Sequence, residues 1–325
     1  MKKRKLGKSG IKVSPMGLGG WAIGGPFLHP KNGVLAYGKV DDKESIEAIR
    51  KAVDMGITLF DTANIYGGGR SERVLGEALE GHRNDMVIAT KFATTWDMNS
   101  GNPDIPCQIT GTDVTPEGIK KACEGSLKRL RTDYIDVYQL HDGGLDFEIA
   151  ENVLDTLDEL VQEGKIRYYG WSTDDPERAE IFAKKKYCAT VQFRHNIFSH
   201  NEIMISNVIE KYGIAGLVKG PLGYGILTGK YKADSQLPED HMWHGTEFDK
   251  GKAAETLEKL ERIREILQED GRTLPQAALA WIWAQHDLLI PIPGFKNVRQ
   301  VEENVSAMEF GPLKKEQLRS IDSLL

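Results

Sequence analysis

Cysteine is scarce. Cys107, Cys123 and Cys188 are the only three in 325 residues, and none belongs to a CxxC pair. This spacing excludes a disulfide framework and suits reduced thiols in a cytoplasmic protein. Long apolar runs are missing too. The most apolar helical stretch, Ala277–Ala284 (AALAWIWA), falls far short of the roughly 20 residues a membrane span needs. Nor is there a basic excess: 42 lysines and arginines against 48 aspartates and glutamates leave a formal charge of −6. That balance argues against nucleic acid as a partner. No apolar segment follows the basic residues Lys2–Lys5, so no secretory signal is expected. No linker or low-complexity stretch divides the chain, and residues 1–325 are read as one domain.

What is present is a regular alternation. Short apolar runs occur at SPMGLGGW, ITLFDTA, MVIATKF, YIDVYQLH, IRYYGWS, ATVQF, IAGLVKG and LLIPIPG. Between them lie segments with helical spacing. Ala150, Val153, Leu154, Leu157, Leu160 and Val161 share one helix face, and Ile119, Cys123, Leu127 and Leu130 share another. Eight strands alternating with helices predict an α/β fold of parallel strands closed into a (β/α)8 barrel. Arg4–Leu6 and Ile11–Val13 read as an N-terminal β-hairpin plugging its floor. The stretches Gly24–Val40, Thr94–Val114 and Lys219–Lys250 are too long for plain connections, and all follow a strand. They therefore belong on the end where such barrels keep their chemistry.

Polar residues fall at that same end. Asp61 closes the second run, Lys91 lies near the end of the third, and His141 closes the fourth. Ser172 and Gln192 end the fifth and sixth, while Tyr66 follows Asp61 by five residues. No serine or cysteine elbow accompanies them. The first strand lacks the His-x-His of a metal hydrolase barrel, and no metal site is expected. The segment His241–His244 (HMWH) reads as part of a polar lid. A tyrosine beside an ammonium is expected to have its pKa lowered from about 10, which makes it a proton donor near neutral pH. Such a site suits carbonyl reduction, which needs a hydride source. The run Gly17–Ala22 (GLGGWA) matches a dinucleotide fingerprint, but Ile23–Pro26 (IGGP) follows where a helix should begin. A nicotinamide would bind here without a Rossmann unit.

These residues, in GITLFDTANIYGGGRSERVLGEAL, IATKF and YQLHD, resemble the signatures of the aldo-keto reductase superfamily, and the resemblance runs nearly end to end. It implies a catalytic tetrad of Asp61, Tyr66, Lys91 and His141 and an NADP(H)-dependent oxidoreductase acting on a small-molecule carbonyl or alcohol. Homo-oligomerisation stays open. By the same resemblance, Ser172 and Gln192 meet the nicotinamide carboxamide, and Gly20 and Trp21 the adjoining ribose. KGPLGYGILTGKY is similar to the pyrophosphate strap, which implies Lys219, Gly220, Pro221, Leu222 and Lys230. IPGFKNVRQVEEN is similar to the adenosine end, with Gly294, Lys296 and Gln300 at the ribose phosphate and Glu303 and Asn304 at adenine. Lys219 stands where many relatives stack an aromatic ring on the nicotinamide, Thr173 replaces the usual asparagine, and His195 replaces a common tyrosine. Phe27 and Trp96 are the candidates for substrate contact. A second implied reading is a cofactor-sensing binding protein, similar to potassium-channel β subunits, on the same fold.

Overall fold

The computed structural model describes residues 1–325. Eight strands form its centre: β1 (Leu18–Gly19), β2 (Leu59–Asp61), β3 (Val87–Phe92), β4 (Ile135–Leu140), β5 (Ile166–Ser172), β6 (Cys188–Arg194), β7 (Ala215–Lys219) and β8 (Leu289–Pro291). Each is parallel to the next in a single sheet. The sheet closes on itself where Gly17 N–H donates to Pro291 O (3.0 Å) and Gly19 N–H to Pro293 O (2.9 Å). A Cβ on Gly19 would stand 2.8 Å from Ile292 O, so the glycines of the rejected fingerprint let two backbones meet at this seam.

Alternation along each strand sorts side chains between two cores. Phe60, Ile88, Phe92, Tyr138 and Leu140 point outward, into the large core shared with the surrounding helices. Leu59, Val87, Ala89, Val137, Leu217 and Ile290 point inward and fill the lower barrel. The helices bury the faces expected of them: Ala150, Val153, Leu154, Leu157 and Leu160 in Phe147–Gln162, and Ile119, Cys123, Leu127 and Leu130 in Pro116–Leu130. No helix is long and apolar enough to cross a membrane.

The N-terminal hairpin pairs Arg4–Lys5 with Lys12–Val13, and it brings Leu6 and Val13, both 0 % exposed, into the inner apolar cluster. At the opposite end the long connections build a wall. Strands Phe27–His29 and Gly33–Leu35 join Thr94–Asp97 and Cys107–Thr112 in a four-stranded sheet. The connection after β7 is tied to it, with Gly38 N–H donating to Asp240 O (3.1 Å) and Met242 N–H to Ala36 O (2.8 Å).

If the hairpin is part of the core, truncating its plug costs as much as truncating a central strand. Leu6→Ala is expected to destabilise the fold by about 2–5 kcal/mol. Urea unfolding measures this. A loss below about 1 kcal/mol, as at a surface position, would show that the hairpin merely lies against the barrel.

Candidate active site

Above the apolar layer, the inward positions of the same strands turn polar. Asp61 follows Leu59 by two residues, Lys91 follows Ala89, and Gln139 follows Val137. Lys91 pairs in register with Gln139, and Ser172 with Gln192. The Lys91 ammonium, 0 % exposed, donates to Asp61 Oδ2 (2.7 Å), to Thr62 O (2.7 Å) and to Tyr66 Oη (3.3 Å). All three of its N–H groups are taken. The other carboxylate oxygen, Asp61 Oδ1, accepts from Gln192 Nε2 (2.7 Å) and Gln139 Nε2 (3.2 Å). Tyr66 reaches this point because Gly67, Gly68 and Gly69, with φ of 60°, 60° and 80°, turn the chain sharply into the helix Arg70–Ala78. Its ring lies edge-on to His141 at 6.0 Å and stacks against Phe27 at 6.5 Å.

Burial governs the proton affinities. It works to lower the Lys91 pKa, but Asp61 and Tyr66 more than offset it, and the ammonium is held above its ordinary value. The Tyr66 phenol is also raised, by burial, with Lys91 pulling the other way. The expected lowering is therefore corrected: desolvation outweighs the neighbouring cation, and the phenol keeps its proton throughout the neutral range. His141 lies well below its usual value because of burial, with Lys91 and Lys219 adding to the shift. Its imidazole is neutral, and Nδ1 has no partner.

Tyr66, His141 and Asp61 open into a cleft of about 1410 Å³, larger than the roughly 300–1,000 Å³ of an ordinary small-molecule pocket. Trp21, Phe27, Ser172, Gln192, Lys219, Gly220, Pro221, Leu222, Lys230, Gly294, Lys296, Gln300, Glu303 and Asn304 all line it. Lys91 lies beneath its surface and reaches it only through Tyr66 and Asp61. Gly20 is also set back, its N–H donating to Asp61 O (2.7 Å) while Gly19 and Trp21 face the opening. Trp96 does not line the cleft. A register shift between Thr95 and Trp96 breaks the pleat, and Trp96 packs beside Gly68 while Thr94 and Ile109 face the cleft. His195 is buried and lies tilted against Trp281, with ring centres 5.0 Å apart. Sequence reasoning missed Gln139, Tyr37, Arg194 and Tyr224. Gln139 was visible as a polar inward position two residues before His141. Arg194 was likewise visible, as the strand-end position two residues after Gln192 on β6, whereas Tyr37 and Tyr224 come from the long connections, where no periodicity marks the facing side.

The buried pair generates a test. Lys91→Met strands the Asp61 carboxylate and is expected to cost about 3–5 kcal/mol. Adding Asp61→Asn should recover part of that loss, giving a coupling of about 0.5–3 kcal/mol in a double-mutant cycle of thermal or urea unfolding. Strictly additive effects would mean that the two side chains do not interact.

Comparison with known proteins agrees with this geometry. The family model described as the aldo/keto reductase family matches residues 15–325. The chain is similar to the NADH-specific methylglyoxal reductase of Escherichia coli, 33 % identical over 317 residues, covering 95 % of this chain and 94 % of that protein. It superposes on the glycerol dehydrogenase AKR11B4 from Gluconobacter oxydans with a TM-score of 0.83 and 29 % identity, over 99 % of this chain and 94 % of the other. An aldo-keto reductase from Klebsiella pneumoniae in complex with NADPH superposes with a TM-score of 0.72 and 25 % identity, over 100 % and 95 %. With the barrel, the buried Lys91–Asp61 pair and a family match over nearly its whole length, this chain belongs to the aldo/keto reductase family.

Proposed function

We propose that the protein is an NADP(H)-dependent oxidoreductase that reversibly reduces an aldehyde or ketone of a small molecule, with Tyr66 as general acid. One observation carries this reading. The Tyr66 oxygen accepts a hydrogen bond from Lys91, so the phenol's own proton is left to point into the cleft. A carbonyl oxygen beside Tyr66 would take that proton as negative charge builds on it. Neutral His141, 6.0 Å away between ring centres, can donate a second hydrogen bond to the same oxygen. Lys91 and Asp61 act through Tyr66, and Phe27 walls the substrate side.

The residues present fit a phosphorylated dinucleotide. Lys230, Lys296 and Arg299 line one arm of the cleft, and no carboxylate pairs with any of them. Burial and the nearness of Lys296 lower the Lys230 pKa, a cost that a bound anion would relieve. The Lys296 ammonium donates to Tyr37 O (3.0 Å) and Lys39 O (2.7 Å), which leaves a third N–H for a phosphate oxygen. It sits beside the N-terminus of Val298–Phe310, a favourable place for an anion. On this reading Gly220, Pro221, Leu222 and Lys230 take the pyrophosphate. Gly294, Lys296 and Gln300 take the ribose phosphate, and Glu303 and Asn304 take adenine. Ser172, with the carbonyl oxygen of Gln192, takes the carboxamide, near Gly20 and Trp21. A reduced nicotinamide bound there would supply the hydride.

Tyr66→Phe tests the acid. The variant is expected to lose about 10²–10⁴-fold in turnover with a generic aldehyde while NADPH affinity stays nearly unchanged. Wild-type turnover in the variant would end the assignment. The unmutated protein must also complete many turnovers, since a single one would indicate a cofactor-holding binding protein.

Lys296→Ala tests the cofactor. A charge-assisted bond to the 2′-phosphate is worth about 1.5–3 kcal/mol, so removing it should weaken NADPH roughly 10–150-fold and leave NADH unaffected. Equal dissociation constants for the two cofactors in both proteins would refute the preference.

A further inference from the structure

A cation stands beside the groups assigned above to the nicotinamide carboxamide. Lys219 is the last residue of β7 and follows Leu217, the residue in register with Gln192, by two positions, so both point inward. Its Nζ lies 3.3 Å from Ser172 Oγ and 3.5 Å from the Asp174 carboxylate. The side chain is 29 % exposed and forms part of the cleft wall. Asp174 does not cancel its charge, because Arg194 is also 3.9 Å from the same carboxylate. Two cations share one anion, and the cluster stays net positive. The nearby ionic groups are otherwise satisfied: Lys91 by Asp61, and Arg178 by Asp175 at 3.1 Å. His141 is neutral, and the Asp142 carboxylate, which accepts from Gly144 N–H, is not among the charges that act on Lys219.

We propose that Lys219 makes this site select the oxidation state of its cofactor, holding the reduced dinucleotide more tightly than the oxidised one. The inference rests on the dinucleotide reading of the cleft. The two forms share the same phosphates, riboses and adenine. Their difference in charge is confined to the nicotinamide, which is neutral when reduced and cationic when oxidised. Contacts at Lys230 and Lys296 therefore largely cancel in the ratio of the two dissociation constants. An ammonium one hydrogen bond away from Ser172 repels a cationic ring and leaves a neutral one undisturbed. After screening by Asp174 and solvent, such a like-charge contact is worth about tenfold in binding. An aromatic ring at this position would select in the opposite sense, because its face attracts a cation. From a mixed pool the protein would fill with the reduced form, and the oxidised form would leave faster.

The test is a pair of dissociation constants, for NADP⁺ and NADPH, measured by calorimetry on the whole protein and on folded variants. Wild type should hold NADPH about tenfold more tightly than NADP⁺, the size expected for one partly screened charge. Lys219→Met should bring the ratio near one, and Lys219→Arg should keep it. Lys219→Gln gives the same reading if the methionine variant does not fold. An unchanged ratio in the neutral variant, or its loss in the arginine variant as well, overturns the role of charge at this position. Binding of neither form by the wild type would instead bring down the dinucleotide reading, and this inference with it.

Discussion

The Lys91–Asp61 ion pair is the constraint on which the rest of the site depends. Its side chains are 0 % and 4 % exposed, and two charges so deeply buried survive only when every remaining donor and acceptor is met. Here each is. Lys91 spends its other two protons on Thr62 O and Tyr66 Oη, and Asp61 receives the amides of Gln139 and Gln192. These partners come from β2, β3, β4, β6 and the turn after β2. A one-residue slip in any of those strands would send a polar side chain into the outer core. Satisfying the pair and holding the strands in register are thus one requirement, which also aims the Tyr66 oxygen at the cleft.

The barrel interior is layered accordingly. Leu59, Val87, Ala89, Val137, Leu217 and Ile290 make a dry floor sealed by Leu6 and Val13. Two residues further along the same strands the lining becomes ionic. A low-polarity floor beneath a charged layer keeps water from the underside of the pair, so its electrostatic effect on Tyr66 is weakly screened. The same dryness keeps the phenol and the His141 imidazole in their neutral forms.

The cleft's long arm has a different origin. It is built from connections rather than strands. The first long connection carries Trp21 and Tyr37, whose rings meet edge to face at 5.3 Å, and its backbone pairs with Asp240–Met242 of the connection after β7. Lys296, in the connection between β8 and the helix Val298–Phe310, ties the same segment down through the carbonyls of Tyr37 and Lys39. Three connections far apart in the chain therefore hold one another in place over a row of unpaired cations. Its shape follows from their mutual packing.

Much of this was legible in the sequence because a strand's period of two needs no tertiary information. In LFD, VIATKF and VYQLH, an outward apolar series and an inward series ending in Asp61, Lys91 and His141 can be read directly from the residues. The strand ends, the barrel and the grouping of Asp61, Lys91 and His141 follow from that pattern, while Tyr66, which lies in the turn after β2, was singled out by its nearness to Asp61 and by the family resemblance. The sequence by itself determined which residues could share a cavity. What only the tertiary structure decided depends on distance and dielectric. The bulge after Thr95 turned Trp96 away from the cleft, and the barrel seam placed Gly19 rather than Gly20 at the opening. Desolvation overrode the cation at Tyr66, and Gln139 became a partner of Asp61 across the barrel. Each of these is set by groups that lie apart in the chain and touch only when the barrel has closed, because burial and hydrogen bonding are properties of the neighbours and not of the residue.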